Sequence, residues 1–285
     1  MSDLVEIVEV GPRDGLQNES KKISIENKVQ LIDRLSNCGF RRIEVASFVS
    51  PKWVPQMADS ASVLQRIKRN PNISYIALTP NMRGLEEAIL SDVGEIAIFG
   101  SASEGFSKAN INCTIDESIK RFHPLVELAK QNSLPVRGYV SCITECPYDG
   151  LIHPEKVRDI TLRLFDLGCY EVSLGDTLGR SSPQQISNLF EKILKDIPCS
   201  ELAGHFHDTK DMALENIKVA LDFGIRTFDS SVGGLGGCPY APGASGNVAT
   251  ERVLDTLIDL KYEVELDRDM VCQTAQFAKS LIVRP

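Results

Sequence analysis

A closed (β/α)8 barrel is the fold this sequence predicts. Three observations lead to it: eight short β-rich runs, a helix-period segment after each, and polar clusters gathered at the carboxyl ends of several of the runs. The alternation continues along 285 residues without a Pro/Ser-rich linker or low-complexity stretch, and α/β barrels commonly reach roughly 250 residues as one domain. An open doubly wound sheet has the same local alternation. Eight strands, each with its helix, favour closure.

In order, the strands are expected at 4–10, 41–46, 73–79, 94–99, 135–141, 169–174, 201–206 and 226–231. The helices between and after them are expected at 26–38, 58–69, 83–91, 116–131, 154–167, 183–195, 210–223 and 247–260. Gly39, Gly168 and Gly224 stop three helices just before the next strand, because glycine accepts the left-handed turn that ends a helix. Asp116 stands ahead of an apolar-periodic stretch, and Pro183 suits a first helical turn. A further helix at 268–280 lies outside the barrel set. The expectation is one domain over 1–285, with the barrel at about 4–260 and a helical segment at about 261–285.

Composition narrows the function class. The net charge is -8 and there is no long basic run, so nucleic acid is not an expected partner. An anionic substrate is compatible with this balance, because a few local cations or a metal decide the field at a site. No apolar run approaches the roughly 20 residues needed to cross a bilayer, and the first residues enter a strand pattern without a cationic lead or apolar core. The cytoplasm is the expected compartment. Eight cysteines lie scattered without a C-x-x-C pair, which reads as reduced thiols rather than disulfide staples.

In a barrel, chemistry is expected at the carboxyl ends of the strands. His205 and His207 occupy i and i+2 on one strand, so both imidazoles leave the same face. Asp14 ends the first strand, and Asn247 follows the eighth. Two imidazoles with carboxylate and amide oxygens suit Mg2+ or Mn2+ better than a structural zinc site, although the ligand types alone also admit zinc. Arg13 precedes Asp14. Both reach one site only if the backbone turns there, as Gly11, Pro12 and Gly15 allow. A guanidinium there would stabilise a developing enolate oxygen; it would otherwise form an ion pair with Glu9, Glu44 or Asp176. The glycine-rich segment 233–247 contains Cys238, a thiol placed to donate a proton if the loop closes over substrate. The alternative is a phosphate cradle or tight turns around a small buried cysteine.

Several blocks carry a resemblance over nearly the whole chain: Val-Gly-Pro-Arg-Asp-Gly-Leu-Gln-Asn-Glu (10–19), Ile-Glu-Val-Ala-Ser-Phe-Val-Ser-Pro-Lys-Trp-Val-Pro-Gln-Met (43–57), Asn-Ile-Asn-Cys (110–113), Val-Arg-Gly-Tyr-Val-Ser-Cys (136–142), Ser-Leu-Gly-Asp-Thr (173–177) and the loop 234–251. In these the chain resembles the hydroxymethylglutaryl-CoA lyase family. The resemblance implies cleavage of an acyl-CoA to acetyl-CoA and acetoacetate, a divalent Mg2+ or Mn2+, and a homodimer. It implies Asp14, His205, His207 and Asn247 as metal ligands, Arg13, Cys238, Glu44 and Asp176 as catalytic residues, and Gln17, Ser47 and Thr177 with Arg13 around the substrate. The base that takes the substrate hydroxyl proton is left between Glu44 and Asp176. Two positions depart from the family pattern, Arg180 and Lys210, and both bear on acyl-group preference. Rival functions are a related 3-hydroxyacyl-CoA lyase, a bond-forming isopropylmalate or homocitrate synthase, and a non-catalytic metal- or CoA-binding barrel.

Overall fold

The computed structural model describes residues 3–236 and 246–282. Eight parallel strands close into a ring: β1 (Glu6–Glu9), β2 (Arg42–Ser47), β3 (Ser74–Leu78), β4 (Glu95–Ser101), β5 (Val136–Ser141), β6 (Glu171–Asp176), β7 (Leu202–Phe206) and β8 (Thr227–Ser230). Each strand pairs with its neighbours in sequence, and β1 pairs β8 from Glu6↔Thr227 to Glu9↔Ser230. That last ladder replaces the open-sheet alternative with a barrel that has no free edge.

The helices are α1 (Ile25–Leu35), α2 (Ser60–Arg66), α3 (Met82–Leu90), α4 (Glu104–Ile111), α5 (Ile115–Gln131), α6 (Pro154–Leu167), α7 (Pro183–Ile193), α8 (Ala213–Asp222), α9 (Thr250–Asp259) and α10 (Arg268–Ile282). Helices α1, α2, α7 and α8 begin or end two or three residues inside the expected bounds, and three further differences have a specific local cause or consequence. Helix α4 was not anticipated; it is a short element whose first turn is capped by Ser103, which accepts from the Phe106 N–H at 3.0 Å. Helix α5 is capped by Thr114 rather than Asp116, because Thr114 and Glu117 exchange bonds at 3.1 and 2.8 Å. Helix α9 starts at Thr250 rather than 247. Asn247 is instead bridged to His207 and Ala249 to Ser231 as extended backbone, which seats Asn247 on the barrel mouth.

The main core lies between barrel and helices, where Leu31, Leu35, Ile43, Leu85, Ile98, Leu164, Leu189 and Leu257 are buried. Each such side chain contributes about 1.5–3 kcal/mol on burial. A smaller apolar cluster of Val8, Val10, Ile76, Leu78, Ala97 and Tyr139 forms separately from it. Helix α10 buries Val271, Ala275, Ala278 and Leu281 against α1, α9 and the turn after β8. The segment ahead of it bonds to the first residues, Val5 N–H to Glu263 O at 2.8 Å and Glu263 N–H to Asp3 O at 2.9 Å. No helix among the described residues is long and apolar enough to cross a membrane.

Candidate active site

The first strand ends in a tight turn over Gly11–Gly15, in which Val10 O accepts from the N–H groups of Arg13, Asp14 and Gly15 at 3.2, 2.7 and 3.3 Å. Side chains at either end of the turn would collide. A Cβ on Gly11 would lie 2.5 Å from Glu9 Oε1, and one on Gly15 would lie 2.7 Å from Ser231 Oγ. The turn frees Arg13 and Asp14 from strand alternation, so both serve one site. Arg13 Nη1 lies 2.6 Å from Asp14 Oδ1 and Nη2 lies 2.6 Å from Glu44 Oε2. Of the three acids offered as partners for Arg13, Glu44 is the one it pairs with; Glu9 accepts instead from Gly11, Val232 and Thr250.

His205 and His207 do share a face, and a ligand atom from each, with one from Asp14, lies within 4.8 Å of the others. Asn247 joins them, its Nδ2 donating to Asp14 Oδ2 at 2.7 Å. Burial would raise the Asp14 carboxyl, but Arg13, His205 and His207 outweigh it and draw it down to about 2. Burial and the neighbouring His205 draw His207 down to about 4. His207 is therefore neutral near pH 7, as a metal ligand must be. Its buried Nδ1 has no hydrogen-bond partner. A neutral imidazole with an orphaned nitrogen, an ionised carboxylate and an adjoining amide form a donor set that fits a divalent cation.

The remaining residues divide by what they already hold. Glu44 is fully buried; its Oε2 is bound to Arg13 while Oε1 has no partner. Burial raises its carboxyl despite Arg13. Gln17 Oε1, Ser47 Oγ and Arg13 Nε are buried without partners as well. Asp176 differs: its two oxygens accept from the Gly179 and Ser181 N–H groups at 3.1 and 2.9 Å, so it shapes the turn beyond β6. Thr177 Oγ1 accepts from Cys142 N–H at 2.9 Å. Cys238 lies outside the described residues. The described cysteines are all free thiols. Arg180 pairs with Glu145 at 3.6 Å, and Lys210 is exposed.

Sequence reading missed the layer beneath these residues. Asp229 Oδ2 lies 3.1 Å from His205 Nδ1, Arg137 Nη2 lies 2.8 Å from Asp229 Oδ1, and Arg137 Nη1 donates to Tyr139 Oη at 3.0 Å. Tyr139 Oη in turn donates to Glu44 Oε2 at 3.2 Å. Asp14, Arg13, Glu44, Tyr139, Arg137, Asp229 and His205 thus form one chain of polar contacts inside the barrel. A signal was present: Arg137 and Tyr139 at i and i+2 on β5, and Asp229 on β8, are polar residues at inward strand positions.

The HMGL-like family model matches residues 4–278. The chain belongs to the HMGL-like family. It is 52% identical over 269 residues to the hydroxymethylglutaryl-CoA lyase of Pseudomonas mevalonii, covering 94% of this chain and 89% of that one. The crystal structure of the HMG-CoA lyase from Brucella melitensis superposes with a TM-score of 0.97 at 53% identity, covering 98% of each chain. An HMG-CoA lyase from Acenitobacter baumannii in complex with coenzyme A and 3-methylmalate gives a TM-score of 0.94 at 36% identity, over 99% of this chain and 92% of that one. Membership of the HMGL-like family agrees with the barrel and with the position of the polar cluster at its carboxyl end.

Proposed function

We propose that this chain is a hydroxymethylglutaryl-CoA lyase, a single-domain cytoplasmic homodimer that uses Mg2+ or Mn2+ to cleave 3-hydroxy-3-methylglutaryl-CoA into acetyl-CoA and acetoacetate. The observation that carries this reading is the meeting of Asp14, His205 and His207 within 4.8 Å beside an arginine held between Asp14 and Glu44. Asp14, His205, His207 and Asn247 are the residues that would hold the ion. A bound divalent cation supplies Lewis acidity to substrate oxygens and lowers the pKa of the C3 hydroxyl.

The chain's own groups account for the proton movements. Burial raises the carboxyls of both Glu44 and Asp176, but Glu44 has an unpartnered Oε1, which makes it the better base for the hydroxyl proton. Asp176 is occupied by backbone donors. Loss of that proton lets the C3 oxygen become the ketone of acetoacetate as the carbon–carbon bond breaks, and the bonding pair passes to the thioester fragment as an enolate. Arg13, whose Nε has no partner, offers fixed positive charge to the enolate oxygen. Cys238 supplies the proton that completes acetyl-CoA. Gln17, Ser47 and Thr177 line the substrate side of the pocket.

The neighbouring structure that holds coenzyme A and 3-methylmalate supports an acyl-CoA substrate for this barrel. Arg180, engaged by Glu145 in the segment between β5 and α6, gives no reason to prefer a different acyl group. The test is acetoacetate formation from 3-hydroxy-3-methylglutaryl-CoA by chelator-stripped protein with and without added Mg2+ or Mn2+. Metal-dependent product is the expected outcome; folded protein that yields none with either ion would overturn the reading.

A further inference from the structure

Asp229 and His205 sit at paired positions on β8 and β7, with Asp229 Oδ2 3.1 Å from His205 Nδ1. Asp229 is 2% exposed, and donors hold both of its oxygens: Arg137 Nη2 at 2.8 Å on Oδ1 and Ser173 Oγ at 2.7 Å on Oδ2. A carboxylate buried against a guanidinium stays ionised, and an ionised carboxylate only accepts hydrogen bonds. The imidazole atom facing it therefore carries the hydrogen. On a neutral ring this leaves the lone pair on Nε2. That nitrogen is 3.9 Å from Asp14 Oδ2, beyond hydrogen-bonding reach.

We infer that Asp229, braced by Arg137 and Ser173, is a positioning residue that fixes His205 in its Nδ1–H tautomer and presents Nε2 to the divalent cation. The inference rests on the metal reading above. A buried acceptor behind a ligating histidine sets the ring's orientation and raises its basicity. Serving as counter-ion to Arg137 does not by itself explain the arrangement, because that ion pair uses only Oδ1 while Oδ2 faces the imidazole. The shared register places Asp229 where it can reach the ring, and Ser173 donates to the same oxygen that faces His205.

The test compares Mn2+ binding to metal-stripped wild-type protein, Asp229→Asn and Ser173→Ala, read as free Mn2+ by electron paramagnetic resonance, with thermal unfolding of the metal-free forms alongside. An asparagine can offer its oxygen or its NH2 to Nδ1, so the tautomer is no longer dictated. Asp229→Asn is expected to bind Mn2+ about 10–100-fold more weakly while still unfolding in a cooperative thermal transition, at a lower temperature because Arg137 loses a buried counter-charge, with a smaller affinity loss in Ser173→Ala. Equal affinity in wild type and Asp229→Asn would overturn the positioning role and leave the metal reading standing; wild-type protein that binds no Mn2+ would overturn both. A second measurement does not depend on the variant folding. Nitrogen-15 shifts of His205 in metal-free wild type at alkaline pH should show a protonated Nδ1 and a bare Nε2, and the opposite tautomer would overturn the inference.

Discussion

Arg13 Nη2 lies 2.6 Å from Glu44 Oε2, and Glu44 is completely buried. The pair ties the turn after β1 to the middle of β2 and fixes the guanidinium beside the proposed metal ligand Asp14. Its geometry is preorganised: the cation is already paired and desolvated before substrate arrives, so little reorganisation accompanies the build-up of negative charge.

Arg13→Met is accordingly expected to lower turnover by about 100–1,000-fold, with a smaller change in apparent substrate affinity. Steady-state kinetics separates the two. An effect confined to KM would reduce Arg13 to a binding group.

His207→Ala should shift the metal concentration needed for half-maximal activity upward by at least about 10-fold. The buried Nδ1 without a partner motivates this expectation. An unchanged metal titration would remove His207 from the ligand set.

Cys238→Ser should lower turnover strongly while Mn2+ affinity stays at the wild-type level, because the proposed role is proton donation and not ligation. Rates equal to wild type would rule that role out and favour a small structural cysteine in the loop.

Glu9 supports a pH prediction away from the proposed metal ligands. Its carboxyl is raised to about 8 from 4.5, chiefly by burial, against the lowering effect of bonds from Val232, Thr250 and Gly11. Between those values the folded protein keeps a proton that the unfolded chain releases. The contribution of Glu9 to stability is thus fully present below pH 4.5 and is lost as pH rises through about 8. Glu9→Gln cannot ionise. Its stability relative to wild type should improve by on the order of a few kcal/mol between about pH 5 and about pH 9, measured by urea unfolding. A difference that does not vary with pH would mean that Glu9 is ionised in the folded state.

The sequence by itself determined the eight β-α units, since strand period, helix period and glycine stops are local properties that survive without knowledge of contacts; closure into a ring was decided by the β1–β8 ladder. It also singled out Asp14, His205 and His207, because polar side chains that close an apolar strand pattern contribute little to packing and are free to bind. It could not decide which acid Arg13 meets, since Glu9, Glu44 and Asp176 are equivalent in type, and the pairing of β1 with β2 together with the turn after β1 brings Glu44 within 2.6 Å. Nor could it separate Glu44 from Asp176, whose oxygens are taken by N–H groups three and five residues onward in a turn. The layer under the site was decided by tertiary structure alone. Asp229 is 92 residues from Arg137 along the chain and Glu44 is 95 residues from Tyr139. Contacts at such separations arise only when the strands curl into a ring and aim their inward side chains at one axis.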